Sequence, residues 1–272
     1  MTVPIKKTRP IPRFRLPALA ASSSPTGPAE AERAADDDER SIEDSRVQHR
    51  SYTFAEANNA EIPYALFVPS TYDPAKKSPL MLALHGLDRQ YDWLMGYHGL
   101  LDRAEKDGFI VATALGYTRR GWYGSRDNGK EGELSEKDVM NVFELARKEF
   151  NIDENRMYLW GHSMGGAGTY HLAAKHPGLW AALAVAAPAP STKPEALRAI
   201  AHIPILVLQG DQDGLVDTSR QWVAQMGEIG MQHIYVEVPG GDHALFISQN
   251  EEMVSKLFSF FDIVRKMEPP AE

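Results

Sequence analysis

The stretch Trp160-Gly161-His162-Ser163-Met164-Gly165-Gly166 constrains this chain more than any other. It carries the pattern G-x-S-x-G at a point where the hydrophobic period changes. Met157-Tyr158-Leu159-Trp160 is an apolar run of strand length, and Ala167, Tyr170, His171 and Ala174 recur at helical spacing. A serine between such elements sits on a sharp strand-to-helix turn with its hydroxyl directed out of the fold. Gly161 and Gly165 flank it because side chains there would collide with the crossing backbone. The helix start brings free N–H groups and the positive end of a dipole to the same place, where developing negative charge is stabilised. A Gly-rich turn also produces this pattern by chance, and the strand before and helix after weigh against that reading.

Composition narrows the classes. The chain of 272 residues is long enough for one sizeable core, and 43% hydrophobic with 24% charged residues is a globular balance. A net charge of −8, with no basic stripe interleaved with aromatics, argues against nucleic-acid binding. No run of about 18 apolar residues is present to span a membrane. The lack of cysteine excludes disulfides, zinc–thiolate sites and a cysteine nucleophile, and leaves the compartment, cytoplasmic or exported, open.

Residues 1–46 differ from the rest. Basic residues and prolines open the segment, a Ser/Pro/Gly stretch follows, and Asp36-Asp37-Asp38-Glu39 centres an acidic run. With few large apolar side chains to offset ordering entropy, a solvated tail or linker is expected. Leu16-Pro17-Ala18-Leu19-Ala20 after a basic start hints at an export signal, but its apolar core is short and proline-broken.

The body, 47–272, alternates strands and helices. Strands are predicted over 51–54 and 63–68 around Asn58-Asn59, then over 80–84, 109–112, 157–160, 183–187, 204–208 and 234–238. Helices are predicted over 100–106, from a capping-box variant Ser135-x-x-Asp138 onward, after Ser163, near 194–201, over 219–229 and over 253–267. Residues 116–132 form the longest irregular stretch. Such alternation implies a mainly parallel, twisted eight-stranded sheet covered by helices on both faces, with an antiparallel N-terminal hairpin.

A serine hydroxyl needs a base, usually an imidazole held by an acid. In open parallel sheets functional groups gather beyond the carboxyl ends of strands. Two turns stand there. One is Gly210-Asp211-Gln212-Asp213-Gly214-Leu215-Val216-Asp217, and the other is Gly240-Gly241-Asp242-His243. His243 is the base expected, since His162 belongs to the elbow, His171 and His176 to the next helix, and His233 precedes a strand. Asp213 is the expected acid, two residues past Gly210-Asp211, where the chain has turned over the strand tip. Asp211 would organise that turn, and Asp217 is either a helix cap or the acid of a longer turn. Two backbone N–H groups, of Met164 and of Leu87 after His85-Gly86, are the expected oxyanion donors, with His85 packing beneath the loop.

These motifs together resemble the α/β-hydrolase-fold serine esterases. Leu84-His85-Gly86, Gly161-His162-Ser163-Met164-Gly165-Gly166, Gly210-x-x-Asp213-x-x-Val216 and Gly241-x-His243 carry the resemblance. The body is similar to the feruloyl-esterase and polyhydroxyalkanoate-depolymerase branch, which is related to prolyl oligopeptidase catalytic domains. The resemblance implies a carboxylic ester hydrolase working through an acyl-enzyme. A peptidase or amidase on the same triad, and a non-catalytic binding module, are the alternatives. About a dozen residues, 189–201, stand where a lid is often inserted, so no large lid is expected, and short-chain or aromatic and bulky esters suit an open cleft. Trp122 and Tyr123 are candidate substrate-stacking groups, and Trp93, Leu245 and Phe246 are candidates for the pocket lining or the core. Neither metal nor cofactor is indicated, since H-E-x-x-H and a P-loop lysine are absent.

Overall fold

Strands that are apolar at every position require cover on both sides, and the chain arranges its helices accordingly. The structure is a computed structural model that describes residues 42–266. Its strands are β1 (Val47–Phe54), β2 (Ala60–Phe67), β3 (Ser78–Leu84), β4 (Ile110–Ala114), β5 (Ile152–His162), β6 (Ala182–Ala186), β7 (Ile205–Gly210) and β8 (His233–Val238). They form one sheet in the order β1-β2-β4-β3-β5-β6-β7-β8. The pairs β1–β2 and β2–β4 are antiparallel and every other pair is parallel, the architecture the alternation implies. Asn58 and Asn59, both at positive φ, turn the first hairpin, where asparagine tolerates the left-handed region.

β3, β4, β6 and β7 are buried along their whole length. Their alternate side chains feed two cores. Leu80, Leu82, Leu84, Ile110, Leu159 and Val207 face one, covered by α2 (Lys130–Glu149), α3 (Met164–Lys175) and α4 (Val216–Glu228). Met81, Ala83, Val111, Tyr158, Trp160 and Leu206 face the other, covered by α1 (Leu100–Asp107) and α6 (Glu251–Ile263). Each large apolar side chain so buried contributes about 1.5–3 kcal/mol. A four-residue helix α5 (Leu245–Ser248) follows β8, and a 3-10 turn, Pro194–Ile200, is the only helical element between β6 and β7 among the described residues.

Several boundaries move. α2 begins at Lys130, not at Ser135. Gly129 supplies a positive φ at its start, and Ser135 and Asp138 are buried inside the helix, where they serve a neighbouring loop. α4 begins at Val216, three residues before the expected start, and no side chain caps it; Asp217 lies in its first turn. α6 begins at Glu251 because Asn250 caps it, its side chain accepting from the N–H groups of Glu252 and Met253, and it ends at Ile263. Met267, the expected end, lies outside the described residues, as does most of the expected tail, 1–41. Residues 42–46, on the tail side of the expected boundary, already contact the body. The Ile42 N–H donates to Asp92 Oδ2 at 2.7 Å, and Arg46 pairs with Asp102.

Candidate active site

The elbow is built by steric exclusion. Ser163 adopts φ 57° and ψ −113° between β5 and α3, a conformation that costs about 1–3 kcal/mol in a non-glycine residue. A Cβ on Gly161 would lie 2.2 Å from the Gly165 carbonyl oxygen, and one on Gly165 would lie 1.9 Å from the Leu84 oxygen. Only glycine permits the two chains to cross so closely. Ser163 is half-buried, with its hydroxyl toward the loop after β8.

There the Ser163 hydroxyl donates to His243 Nε2 at 2.9 Å, and His243 Nδ1–H donates to Asp213 Oδ2 at 2.9 Å. An ionised carboxylate only accepts, so Nδ1 carries the proton and Nε2 is left with a lone pair for the serine. Asp213 is buried and His243 remains 44% exposed on its side chain, open to solvent and to a reactant. Burial alone would raise the Asp213 carboxyl. Hydrogen bonds from His243, the Leu215 N–H and the Gln209 amide outweigh it and hold the group below its ordinary value.

The other acid candidates fall elsewhere. Asp217 is exposed and pairs with Arg220 at 3.0 Å, so it is neither the partner of His243 nor a helix cap. Asp211 accepts from the Gly240 N–H at 2.7 Å, which ties together the turns after β7 and β8.

The loop after β3 approaches from the far side. A Cβ placed on Gly86 would lie 3.6 Å from Ser163 Cβ, so Gly86 brings this loop to the serine, and Leu87, next in the chain, has 41% of its surface exposed. The Leu87 N–H has no acceptor among the described residues, and Met164 is one of the first residues of α3, whose N–H groups lack internal partners. His85 lies under this loop, fully buried, with Nδ1 2.7 Å from the Gly86 oxygen and Nε2 2.8 Å from the Leu115 oxygen. Its burial lowers the imidazole pKa.

The loop 115–129 contributes less than expected to a stacking surface. Tyr123 is fully buried, and its hydroxyl donates to the His85 carbonyl at 3.0 Å, which corrects its assignment as a substrate-stacking group. Its ring fills the space that a Cβ on Gly168 would need and so packs against α3. Trp122 is half-buried, with the Arg126 guanidinium 3.2 Å from its ring centroid. Leu245, beyond His243, is 51% exposed, Phe246 is buried, and Trp93 is half-buried beneath the elbow.

Residues 55–227 match the model of the Esterase family, described as "Putative esterase". The chain belongs to this family. Its fold is the α/β-hydrolase fold shared with solved serine hydrolases. A curated relative, the bifunctional acetylxylan esterase/xylanase XynS20E of Neocallimastix patriciarum, is 31% identical over 155 residues, which is 56% of this chain and 21% of that protein. Among solved structures, the S-formylglutathione hydrolase FrmB of Staphylococcus aureus superposes with a TM-score of 0.66 at 15% identity, covering 80% of this chain and 99% of that one. The CE1 ferulic acid esterase AmCE1/Fae1A of Anaeromyces mucronatus, in complex with ferulic acid, gives 0.61 at 19% identity, covering 84% and 95%. At such identities the structural likeness speaks to fold alone.

Three side chains of the candidate site escaped the sequence reading. Gln209, fully buried at the end of β7, donates to Asp213 Oδ2 at 2.7 Å and accepts from the Ser219 hydroxyl at 2.6 Å. Its polarity inside an apolar strand is the signal that could have found it. Asp242 Oδ1 accepts from the N–H groups of Ala244, Leu245 and Phe246, and so sets the chain direction just after His243. His162, read only as a neighbour in the elbow, contacts the His243 backbone.

Proposed function

We propose that this esterase hydrolyses carboxylic esters through an acyl-enzyme on Ser163, with His243 as base and Asp213 as its partner. The observation that carries the reading is the continuous hydrogen-bond chain from Ser163 Oγ through His243 to Asp213, 2.9 Å at each step. Ser163 Oγ attacks the ester carbonyl carbon while His243 Nε2 takes the hydroxyl proton. The oxyanion of the tetrahedral intermediate accepts from the N–H groups of Met164 and Leu87, fixed dipoles that need no rearrangement as charge develops. On collapse the C–O bond to the alcohol breaks, and His243 returns its proton to the departing alkoxide oxygen. Water then attacks the acyl carbon, giving His243 a proton, and the acid leaves as Ser163 recovers its hydrogen. Asp213 keeps the Nδ1–H tautomer and stabilises the imidazolium without taking the proton.

The substrates proposed are esters with a short or aromatic acyl group or a bulky alcohol. Two things support this: the single short 3-10 turn between β6 and β7, which leaves no large lid, and the exposed apolar Leu87 and Leu245 at the rim. The relatives named for acetylxylan and ferulic acid esterase activity fit the same class. Ser163→Ala is expected to remove hydrolysis of p-nitrophenyl acetate while the circular dichroism spectrum is unchanged. Retained turnover in that variant would refute the mechanism. A panel of p-nitrophenyl esters of rising acyl length, with methyl ferulate and peptide amides, tests the class. Preference for long acyl chains or for amides would overturn it.

A further inference from the structure

Beneath the Ser163–His243 pair lies a second imidazole with no part in the proposed proton transfer. His162 is 1% exposed. Its ring stacks on Trp93 at 5.4 Å between centroids and 16° between planes, and meets the edges of Tyr97 and Phe246. Both ring nitrogens are engaged. Nε2 lies 2.7 Å from the backbone carbonyl oxygen of His243, and Nδ1 bonds the Tyr97 hydroxyl.

The chemistry of the partners settles the direction of both bonds. A carbonyl oxygen only accepts, so Nε2 bears the hydrogen; Nδ1 is then a lone pair, and Tyr97 must donate to it. Tyr97 is itself buried, which pushes its phenol well above the ordinary value and keeps the donor proton in place. Burial, then the nearby His243, hold the His162 imidazole down to about 3, so it is neutral with a single tautomer at neutral pH.

We propose that His162 is a positioning residue: its Nε2–H, oriented by Tyr97 and clamped flat by Trp93, fixes the His243 backbone so that the His243 ring meets both Ser163 and Asp213. This rests on the esterase mechanism above. It goes beyond that mechanism by giving a role to the residue that precedes the nucleophile inside G-x-S-x-G. The turn is tied down on either side of His243, by the Gly240 N–H to Asp211 and by Asp242 accepting from the N–H groups of residues 244–246, and His162 holds the His243 carbonyl between those ties. An error of about 1 Å in a reacting group costs on the order of 100-fold in rate.

The test compares His162→Phe, which keeps an aromatic ring on Trp93 and loses the donor, with His162→Gln, which retains an N–H donor, and with Tyr97→Phe. Two readouts are taken on each folded variant. One is kcat and KM for p-nitrophenyl acetate, and the other is the downfield proton resonance of His243 Nδ1–H, followed in protein carrying 15N-labelled histidine. In His162→Phe, kcat is expected to fall about 10- to 100-fold with KM little changed, and the downfield resonance to broaden or vanish. His162→Gln should recover most of both, and Tyr97→Phe should lie between. Wild-type kcat with an intact resonance in His162→Phe overturns the proposal. So does equal loss in the Phe and Gln variants, which would make His162 mere filling. The resonance separates this idea from the mechanism it rests on. An inactive wild type whose His243 signal is present, and lost in His162→Phe, refutes the esterase mechanism and supports the anchor.

Discussion

At the scale of single residues, the proposed mechanism depends on how a buried carboxylate is kept ionised and aimed. Asp213 has three donors, from His243, Gln209 and the Leu215 backbone, and loses its purpose if the imidazole tautomer it selects is not held. Asp213→Asn presents an amide N–H or oxygen of the same size but no charge. Its kcat is expected to fall about 10³- to 10⁴-fold with the fold intact. Asp217→Asn, on an exposed side chain paired only with Arg220, should leave kcat within a factor of two to three of wild type, roughly the effect of an ordinary surface change. Steady-state kinetics on the two variants decide between the acids, and a reversed ranking would refute the assignment. Gln209→Leu tests the support beneath Asp213. It leaves the buried Ser219 hydroxyl without its acceptor, at a cost of about 1–3 kcal/mol in denaturant unfolding. A kcat loss of about tenfold beyond any unfolded fraction is expected if the amide also orients Asp213. Unchanged kcat would reduce Gln209 to a stability role.

At the scale of elements, α2 and the loop 115–129 form one unit. Ser135 Oγ accepts from the Tyr123 N–H at 3.0 Å, and Asp138 accepts from the Tyr117 N–H at 2.7 Å and the Tyr52 hydroxyl at 2.8 Å. The helix thus satisfies backbone groups of a loop that has Tyr117, Trp122 and Tyr123 at positive φ. Asp138 is fully buried, and burial raises its carboxyl to about 6 despite those hydrogen bonds. A folded pKa above the unfolded value of 3.8 means the folded state binds the proton more tightly. The stability this gives is fully present below about pH 4 and is lost as pH rises to about 6. Denaturant unfolding across that window should show wild type losing on the order of 3 kcal/mol relative to Asp138→Asn, with a constant difference above it. Parallel curves would show that Asp138 is not titrating there. The same residues show where sequence reading stops. Ser135-x-x-Asp138 has the spacing of a helix start, and nothing local reveals that these side chains turn away from their own helix toward a loop. The strands were legible because burial on both faces writes itself as unbroken apolar runs. The Ser163, Asp213 and His243 turns were legible because each follows such a run. His162 was not read because its partners Tyr97 and His243 lie 65 and 81 positions away, and Gln209, whose partners Asp213 and Ser219 are only 4 and 10 positions on, because a single amide closing an apolar run does not show which groups it meets.

At the scale of the whole molecule, the proposed chemistry lies at one end of the sheet and the packing of α6 on β5 toward the other. Ser163, Asp213, His243 and the loop after Leu84 all follow the carboxyl ends of parallel strands, where the fold leaves a crevice. The amino end of β5 is instead tied to the chain's C-terminal part. The Tyr158 hydroxyl donates to the Val264 oxygen at 2.7 Å, Arg156 pairs with Asp262 at 3.1 Å, and the Lys266 N–H donates to the Asn155 oxygen at 3.0 Å. α6 closes that face of the sheet, with Phe261 stacked on Tyr158 at 4.6 Å and Phe258 edge-on to Phe109 at 5.3 Å. Phe261→Ala would open a cavity in a fully buried cluster and is expected to cost about 3–5 kcal/mol in unfolding free energy. Ile263→Ala, two positions on and 77% exposed, should stay within about 0.5 kcal/mol of wild type. Because Phe261 stacks on Tyr158, five positions before Ser163 along β5, kcat and KM of Phe261→Ala measured well below its melting temperature should match wild type. Unfolding curves paired with kinetics on both variants check the division. A folded Phe261→Ala with a tenfold loss of kcat would mean that packing at the amino end of β5 is transmitted along the strand to Ser163.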